Sequence, residues 1–217
     1  MLFEQGSVKR RKKTLIDIPK FNVTSGEWIT ITGANGSGKT SLLESIMQLI
    51  KYDGTMYFDG KKFTKIKEAA KNMYLVYQNP ELQFIANSVY KEIFIQNKAN
   101  YPSISEADDK TVQMLKMLNL EDVQSQHPYE LSIGQKRRLS VAIALSSSSD
   151  YILLDEPTFG LDSHNTFNLI KLFQQRVKDG QTIIMVTHDP EIIARYPTRK
   201  LYVRKKQILE IAGDNHV

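Results

Sequence analysis

The stretch Gly33-Ala34-Asn35-Gly36-Ser37-Gly38-Lys39-Thr40 has the residue types of a loop that holds phosphate. Glycines at these spacings let backbone N–H groups turn inward onto phosphate oxygens, beside the positive end of a following helix. Lys39 would reach the β- and γ-phosphates of a nucleotide, and the Thr40 hydroxyl would ligate Mg²⁺. The nucleotide-holding candidates are therefore Gly33, Asn35, Gly36, Ser37, Gly38, Lys39, Thr40 and Ser41. A second centre of chemistry is the pair Asp155-Glu156, which closes the apolar run Tyr151-Ile152-Leu153-Leu154. A carboxylate at the end of such a strand is where a further Mg²⁺ ligand is expected, so Asp155 joins Thr40 as a metal candidate. Glu156 is the candidate for polarising an attacking water, since a carboxylate near a terminal phosphate can draw a proton in a site that excludes bulk solvent.

These groups need elements to position them. Trp28-Ile29-Thr30-Ile31-Thr32 is rich in β-branched residues and reads as a strand feeding the glycine loop. After the loop, Leu42, Ile46, Leu49 and Ile50 recur at helical spacing and predict a helix through residue 50. Further strands are expected at Tyr74-Leu75-Val76-Tyr77, at residues 151–154 and at Thr182-Ile183-Ile184-Met185-Val186. The last two are almost wholly apolar, as parallel strands covered on both faces should be. Between Gln78 and Leu131 the chain turns helical and polar. Ser105 is read there as an N-cap, with Asp108 at the capping-box position and Val112, Leu115 and Leu118 facing a core. The pattern predicts an α/β core with an inserted helical subdomain. The serines at 146–149 make a loop from the helix after Gln135 into the Asp155 strand.

Composition limits the alternatives. A chain of 217 residues fits one domain, or one domain with a subdomain, and can bury a good core. With no cysteine, nothing depends on disulfides or thiolates. No stretch approaches the roughly 18 unbroken apolar residues that a membrane-spanning helix needs. Met1-Leu2-Phe3 leads into polar and basic residues rather than the apolar stretch of a signal peptide. The reading is a soluble protein, or one held at a membrane only through partners. The net charge of +5 leaves a polyanion partner open. Much of the excess lies in Lys9-Arg10-Arg11-Lys12-Lys13, which reads as a solvated turn between two short strands.

Over nearly its whole length the sequence resembles the ATP-binding cassette (ABC) ATPases. The resemblance rests on residues 33–40, Gln78 after a strand, Leu131-Ser132-Ile133-Gly134-Gln135, Leu153-Leu154-Asp155-Glu156-Pro157-Thr158, Gly160-Leu161-Asp162 and Thr187-His188-Asp189. It implies a single domain over residues 1–217: a P-loop NTPase (RecA-like) core at about 1–78 and 136–217, a small antiparallel β region, and the helical subdomain at about 79–135. It also implies two such domains packed head to tail around two ATP molecules. Ser132, Gly134 and Gln135 would then serve the partner's ATP, at the N-terminus of the helix they open. Gln78 would sense Mg²⁺ and water, His188 would contact the γ-phosphate and orient Glu156, and Asp162 would link the two sites. The catalytic set so implied is Glu156, His188, Gln78 and Lys39, and the metal set is Thr40, Gln78 and Asp155.

The segment Tyr77-Gln78-Asn79-Pro80-Glu81-Leu82-Gln83-Phe84 is similar to that of the ATPases in energy-coupling factor (ECF) importers, which take up vitamins and transition-metal ions. The expected partners are a second ABC ATPase subunit, identical or not, and an integral membrane transport protein. The expected place is the cytoplasmic face of the cell membrane, with no nucleic acid involved. The alternatives are another ABC importer or exporter, a soluble ABC ATPase acting on nucleic acid or ribosomes, and a regulatory cassette that binds ATP without hydrolysing it. Two departures from the family stand out. Ile133 replaces a usual glycine and is expected to crowd its loop. No aromatic lies at residues 8–13 to stack on adenine, so Phe3 is the nearby candidate. The short N-terminus and modest length read as a piece of a longer protein or as a lean version of the domain.

Overall fold

A computed structural model describes residues 1–11 and 13–211 in two compact units. The first holds residues 1–75, 150–155 and those from Arg176 onward; the second holds Val76–Ser149 and Glu156–Gln175. Along the chain run β1 (Leu2–Phe3), β2 (Gly6–Arg10), β3 (Lys13–Ile18), β4 (Phe21–Asn22), β5 (Trp28–Gly33) and α1 (Lys39–Ile46). There follow β6 (Tyr52–Asp53), β7 (Met56–Phe58), β8 (Lys61–Phe63), α2 (Ile66–Ala69), β9 (Met73–Val76), α3 (Val89–Asn100) and α4 (Ile104–Met117). The chain continues with α5 (Ile133–Ser146), β10 (Tyr151–Asp155), α6 (Ser163–Lys178), β11 (Thr182–Val186), α7 (Pro190–Arg195), β12 (Arg199–Arg204) and β13 (Gln207–Ile211). Among the described residues no helix is long and apolar enough to cross a membrane.

In the first unit the main sheet has the order β6-β2-β3-β13-β12-β5-β11-β10-β9, and a second sheet the order β4-β1-β7-β8. The strands β12, β5, β11 and β10 are mutually parallel. Every residue of β10 and of β11 is buried, which is why both read as unbroken apolar runs. The register sets Ile184 against Ile29, Leu201 against Ile31 and Asp155 against Val186. β10 and β11 therefore end level with Ile31, and β5 runs two residues further to Gly33. Helix α1 packs on β5 and β10 through the buried side chains of Leu42, Leu43 and Ile46.

That helix ends at Ile46, short of the predicted residue 50. Gln48 takes a left-handed backbone (φ 58°). The Leu49 N–H donates to the Glu44 carbonyl at 2.9 Å and the Gln48 N–H to the Ser45 carbonyl at 3.0 Å. This is a Schellman closure with glutamine in the position that glycine usually fills. The basic run falls where it was expected, at the β2–β3 turn, with Arg11 left-handed (φ 48°) and Lys9 paired to the Asp53 carboxylate. Lys12 lies outside the described residues.

In the second unit α3 and α4 pack on α5, whose residues Leu139, Ser140 and Val141 through Ser146 are all buried. The cap of α4 lies two residues before the expected one. The Ser103 hydroxyl accepts from the Glu106 N–H at 3.0 Å, so Ser103 and Glu106 take the places assigned to Ser105 and Asp108. Both candidate starts have a serine with an acidic residue three positions on, and the Ser103 hydroxyl's bond marks the earlier one as the cap. Leu118 is buried as expected, while Val112 is half-buried. At the head of α3 the buried carboxylate of Glu92 accepts from the Ile85 N–H at 2.6 Å and the Ala86 N–H at 2.7 Å.

Burial pushes the Glu92 carboxyl pKa up in spite of those two donors. The folded chain thus holds this proton more tightly than the unfolded chain does. The contribution of Glu92 to stability is fully present below the ordinary carboxylate value and is lost as pH rises through the raised folded value. The stability of wild type relative to Glu92→Gln should therefore fall as pH rises above the ordinary carboxylate value of about 4. Urea unfolding of both proteins across that range checks this, and a difference independent of pH would overturn it.

Candidate functional site

The ends of the parallel strands β5, β10 and β11 bring Gly33, Asp155 and the segment after Val186 to one edge of the sheet. That edge is where open parallel sheets hold their ligands. Chain path there requires glycine at two points. A Cβ on Gly33 would stand 2.6 Å from the Val203 carbonyl oxygen, and Gly38 has φ 101° as it caps α1. Asn35 and Gly36 are exposed at the loop tip, while Ser41 is buried in the first turn of α1. The N-terminus of α1 has no side-chain cap and no acidic residue in its first turn, so its amide donors face outward with the helix dipole behind them. The Ser37 hydroxyl is buried without a hydrogen-bond partner. Lys39, 7% exposed, donates from Nζ to the Gly33 carbonyl at 2.8 Å and the Ala34 carbonyl at 3.0 Å. Uncapped amides, an orphaned hydroxyl and a desolvated ammonium together make a cradle for phosphate.

Thr40 Oγ1 donates to Asp155 Oδ2 at 2.7 Å, and Asp155 is 2% exposed. Among the described residues no cluster of three or more His, Cys, Asp or Glu side chains could hold a metal ion. A hard cation at the Thr40–Asp155 oxygens would complete its shell with phosphate and water, which suits Mg²⁺. His188 is exposed in the segment between β11 and α7. Its backbone is pinned from both sides. The Asp189 N–H donates to the Thr187 hydroxyl at 3.1 Å, and Asp189 Oδ1 accepts from the N–H groups of Glu191 and Ile192.

The second unit holds Gln78, Glu156, Ser132, Gly134 and Gln135. Gln78 is exposed two residues beyond β9, and its carbonyl accepts from Arg137 Nη2 at 2.7 Å. Glu156 follows Asp155 by one peptide bond, is half-buried, and has φ 51°. A non-glycine residue in that region costs roughly 1–3 kcal/mol, and the following Pro157 restricts it further. Ser132 caps α5 in a reciprocal box. Its hydroxyl accepts from the Gln135 N–H at 3.3 Å, and its own N–H donates to Gln135 Oε1 at 2.9 Å. Asp162 accepts from the backbone and side chain of Asn165, which holds its carboxyl below the usual range.

Two expectations are corrected. Ile133 is the first residue of α5, and its φ is not among the positive ones, so its backbone needs no glycine freedom. Its side chain is 68% exposed and does not crowd the chain's own loop. Phe3 is 2% exposed, packed against Phe21 and Tyr52, and cannot stack on a base. The side chains nearest Gly38 of the phosphate loop are instead those of Ile16 and Leu15. His127 and His164, to which no function was given, hold local structure. His127 Nδ1 accepts from the Tyr129 N–H, and His164 lies 3.1 Å from the Asn168 amide. His216 lies outside the described residues. Arg137, Gln83 and Glu92 went unnoticed in the sequence, since only folding brings their partners to them.

Residues 16–159 match the family described as ABC transporter. A curated relative, described as a candidate HMP/thiamine import ATP-binding protein (YkoD) of Bacillus subtilis, is 34% identical over 193 residues. That match covers 88% of this chain and 35% of the relative, so the chain spans about a third of that protein's length. The dimeric cassette MJ0796, solved in a post-hydrolysis state with ADP and phosphate, superposes with a TM-score of 0.83 at 26% identity and covers 98% of this chain and 99% of that one. The cbiO1 protein of Clostridium perfringens, part of the ABC transporter complex cbiONQ, superposes with a TM-score of 0.80 at 26% identity over 96% of this chain and 86% of that one.

Strain at Glu156 can be tested apart from its carboxylate. Alanine in a left-handed conformation pays about 1–2 kcal/mol that glycine avoids, against roughly 0.5–1 kcal/mol of extra chain entropy lost by glycine. Glu156→Gly should therefore unfold at higher denaturant than Glu156→Ala, by up to about 1 kcal/mol. A less stable glycine variant would show that the backbone there is unstrained.

Proposed function

The chain belongs to the ABC transporter family, and from that premise we propose that it is the ATP-hydrolysing subunit of an ECF-type membrane importer. The observation that carries hydrolysis is the meeting, at one sheet edge, of the Lys39 ammonium with the Thr40–Asp155 pair. Amides of residues 33–40 and Lys39 hold the β- and γ-phosphates and draw off charge as the terminal P–O bond lengthens. Thr40, Asp155 and Gln78 would hold Mg²⁺, which when bound would supply neutralisation of the nucleotide's phosphate charge. Glu156 accepts a proton from water as the water oxygen attacks the γ-phosphorus and ADP leaves, giving inorganic phosphate. Its off-minimum backbone fixes where that carboxylate points. His188, on its pinned segment, donates to the γ-phosphate and orients Glu156.

Ser132, Gly134 and Gln135 cap the ATP of a second subunit, identical or related, so that ATP binding closes a dimer and hydrolysis reopens it. The dimeric state of MJ0796 supports this reading. An integral membrane transport protein takes up the motion at the cytoplasmic face of the membrane, as the membership of cbiO1 in a transporter complex supports. The residues 77–84 and that same likeness support the ECF type, with a vitamin or a transition-metal ion as cargo.

Purified Glu156→Gln should keep ATP affinity and form an ATP-held dimer while turnover falls at least about 100-fold. Turnover at the wild-type rate would refute the role given to Glu156.

Gly134→Ala separates the partner's site from the chain's own. The added Cβ would stand 3.6 Å from the Gly160 carbonyl and from Leu161, which is ordinary contact. Monomer stability and ATP affinity should hold, while dimer formation and turnover fall by about tenfold or more. Equal dimerisation by both proteins would place the partner's ATP elsewhere.

A further inference from the structure

We propose that Arg137 is a positioning residue that makes the loop after β9 and the N-terminus of α5 one moving part. The proposal rests on the ATPase reading above for its functional consequence. Arg137 is 2% exposed. Its Nη1 donates to the Tyr77 carbonyl at 3.1 Å and its Nη2 to the Gln78 carbonyl at 2.7 Å. A planar guanidinium fork suits two consecutive carbonyls in a way that a single ammonium does not. The neighbouring residues reinforce the grip. Lys136 Nζ pairs with Glu81 Oε1 at 2.6 Å. Gln83 bridges in the other direction, accepting from the Tyr77 N–H at 3.4 Å and donating to the Ser140 carbonyl at 3.1 Å. One stretch of α5, residues 136–140, thus holds residues 77, 78, 81 and 83.

The same helix begins at Ile133 under the Ser132 cap. At about 1.5 Å of rise per residue, Ser132 lies only some 7–8 Å along the axis from Arg137, with hydrogen-bonded helix between them. A shift of the Gln78 backbone is therefore a shift of Ser132. Gln78 answers to the chain's own nucleotide, and Ser132 serves the partner's. The Arg137 grip makes occupancy of the first a condition on the geometry of the second, and each site of the dimer reports on the other without a contact between the two nucleotides.

The test compares Arg137→Met and Arg137→Lys with wild type in the full chain. Amide hydrogen exchange should quicken by about tenfold or more in Arg137→Met at residues 77–83 and at Gln135 and Lys136 together, and remain unchanged in α1, β11, α3 and α4. Arg137→Lys should fall between. In a Glu156→Gln background, Arg137→Met should weaken ATP-held dimerisation by about tenfold while monomer ATP affinity stays within about twofold. Faster exchange at residues 77–83 alone, or unchanged dimerisation, would overturn the coupling. Faster exchange throughout α3 and α4 would reduce Arg137 to a core residue and also overturn it. If wild type neither hydrolyses ATP nor dimerises, the ATPase reading fails, while the exchange experiment still decides whether Arg137 couples the two segments.

Discussion

The parallel pairing of β10, β11, β5 and β12 is the constraint on which the first unit depends. The loop amides and Lys39 that could hold phosphate follow β5, while the carboxylate that accepts from Thr40 belongs to β10, with β11 between them. A slip of one residue in either pairing would turn buried side chains outward and carry Asp155 out of reach of Thr40. Register is enforced by burial. Ile29, Ile31, Ile184 and Leu201 have at most 2% of their surface exposed, and none could be turned to solvent cheaply. Hydrophobic order thus sets a polar geometry that no polar contact could set alone.

The second unit solves a different problem. It presents Ser132, Gly134 and Gln135 at the head of a helix that is buried along most of its length. Helix α5 has little amphipathic character because α3, α4 and the turn at Pro80–Gln83 pack on it. Arg137 then ties its surface to two backbone carbonyls, beside the side-chain pair of Lys136 with Glu81. Backbone targets fix where a chain segment lies while leaving its side chains for function, and the Gln78 carbonyl is held in this way.

Much of this was legible in the sequence because it is local. The phosphate loop lies between a β-branched run and a helical one, and buried parallel strands lack alternation. Where the reading failed, the deciding contact was of another kind. Helix α1 stops early because Gln48 accepts a conformation normally left to glycine. The start of α4 lies at the earlier of two serines that are equivalent by local pattern, each with an acidic residue three positions on. Phe3 was a plausible base-stacking ring until the second sheet enclosed it. Ile133 looked intrusive in a loop, yet the loop is already helix. Arg137 gave no signal, since a basic residue after a helix start is ordinary and its partners lie about 60 positions back.

The box that closes the head of α5 also decides what kind of group can approach it. Ser132 and Gln135 each spend an acceptor on the other's N–H. What they have left to offer is the hydroxyl proton of one and the amide protons of the other, beside the uncommitted N–H groups of the first helical turn. The helix end therefore works as a polarity filter. It rewards electron-rich oxygen and gives little to donors or cations, and it does so before any ligand arrives. Self-satisfaction of this kind leaves the helix end few free acceptors, so an anionic oxygen placed there would meet donors.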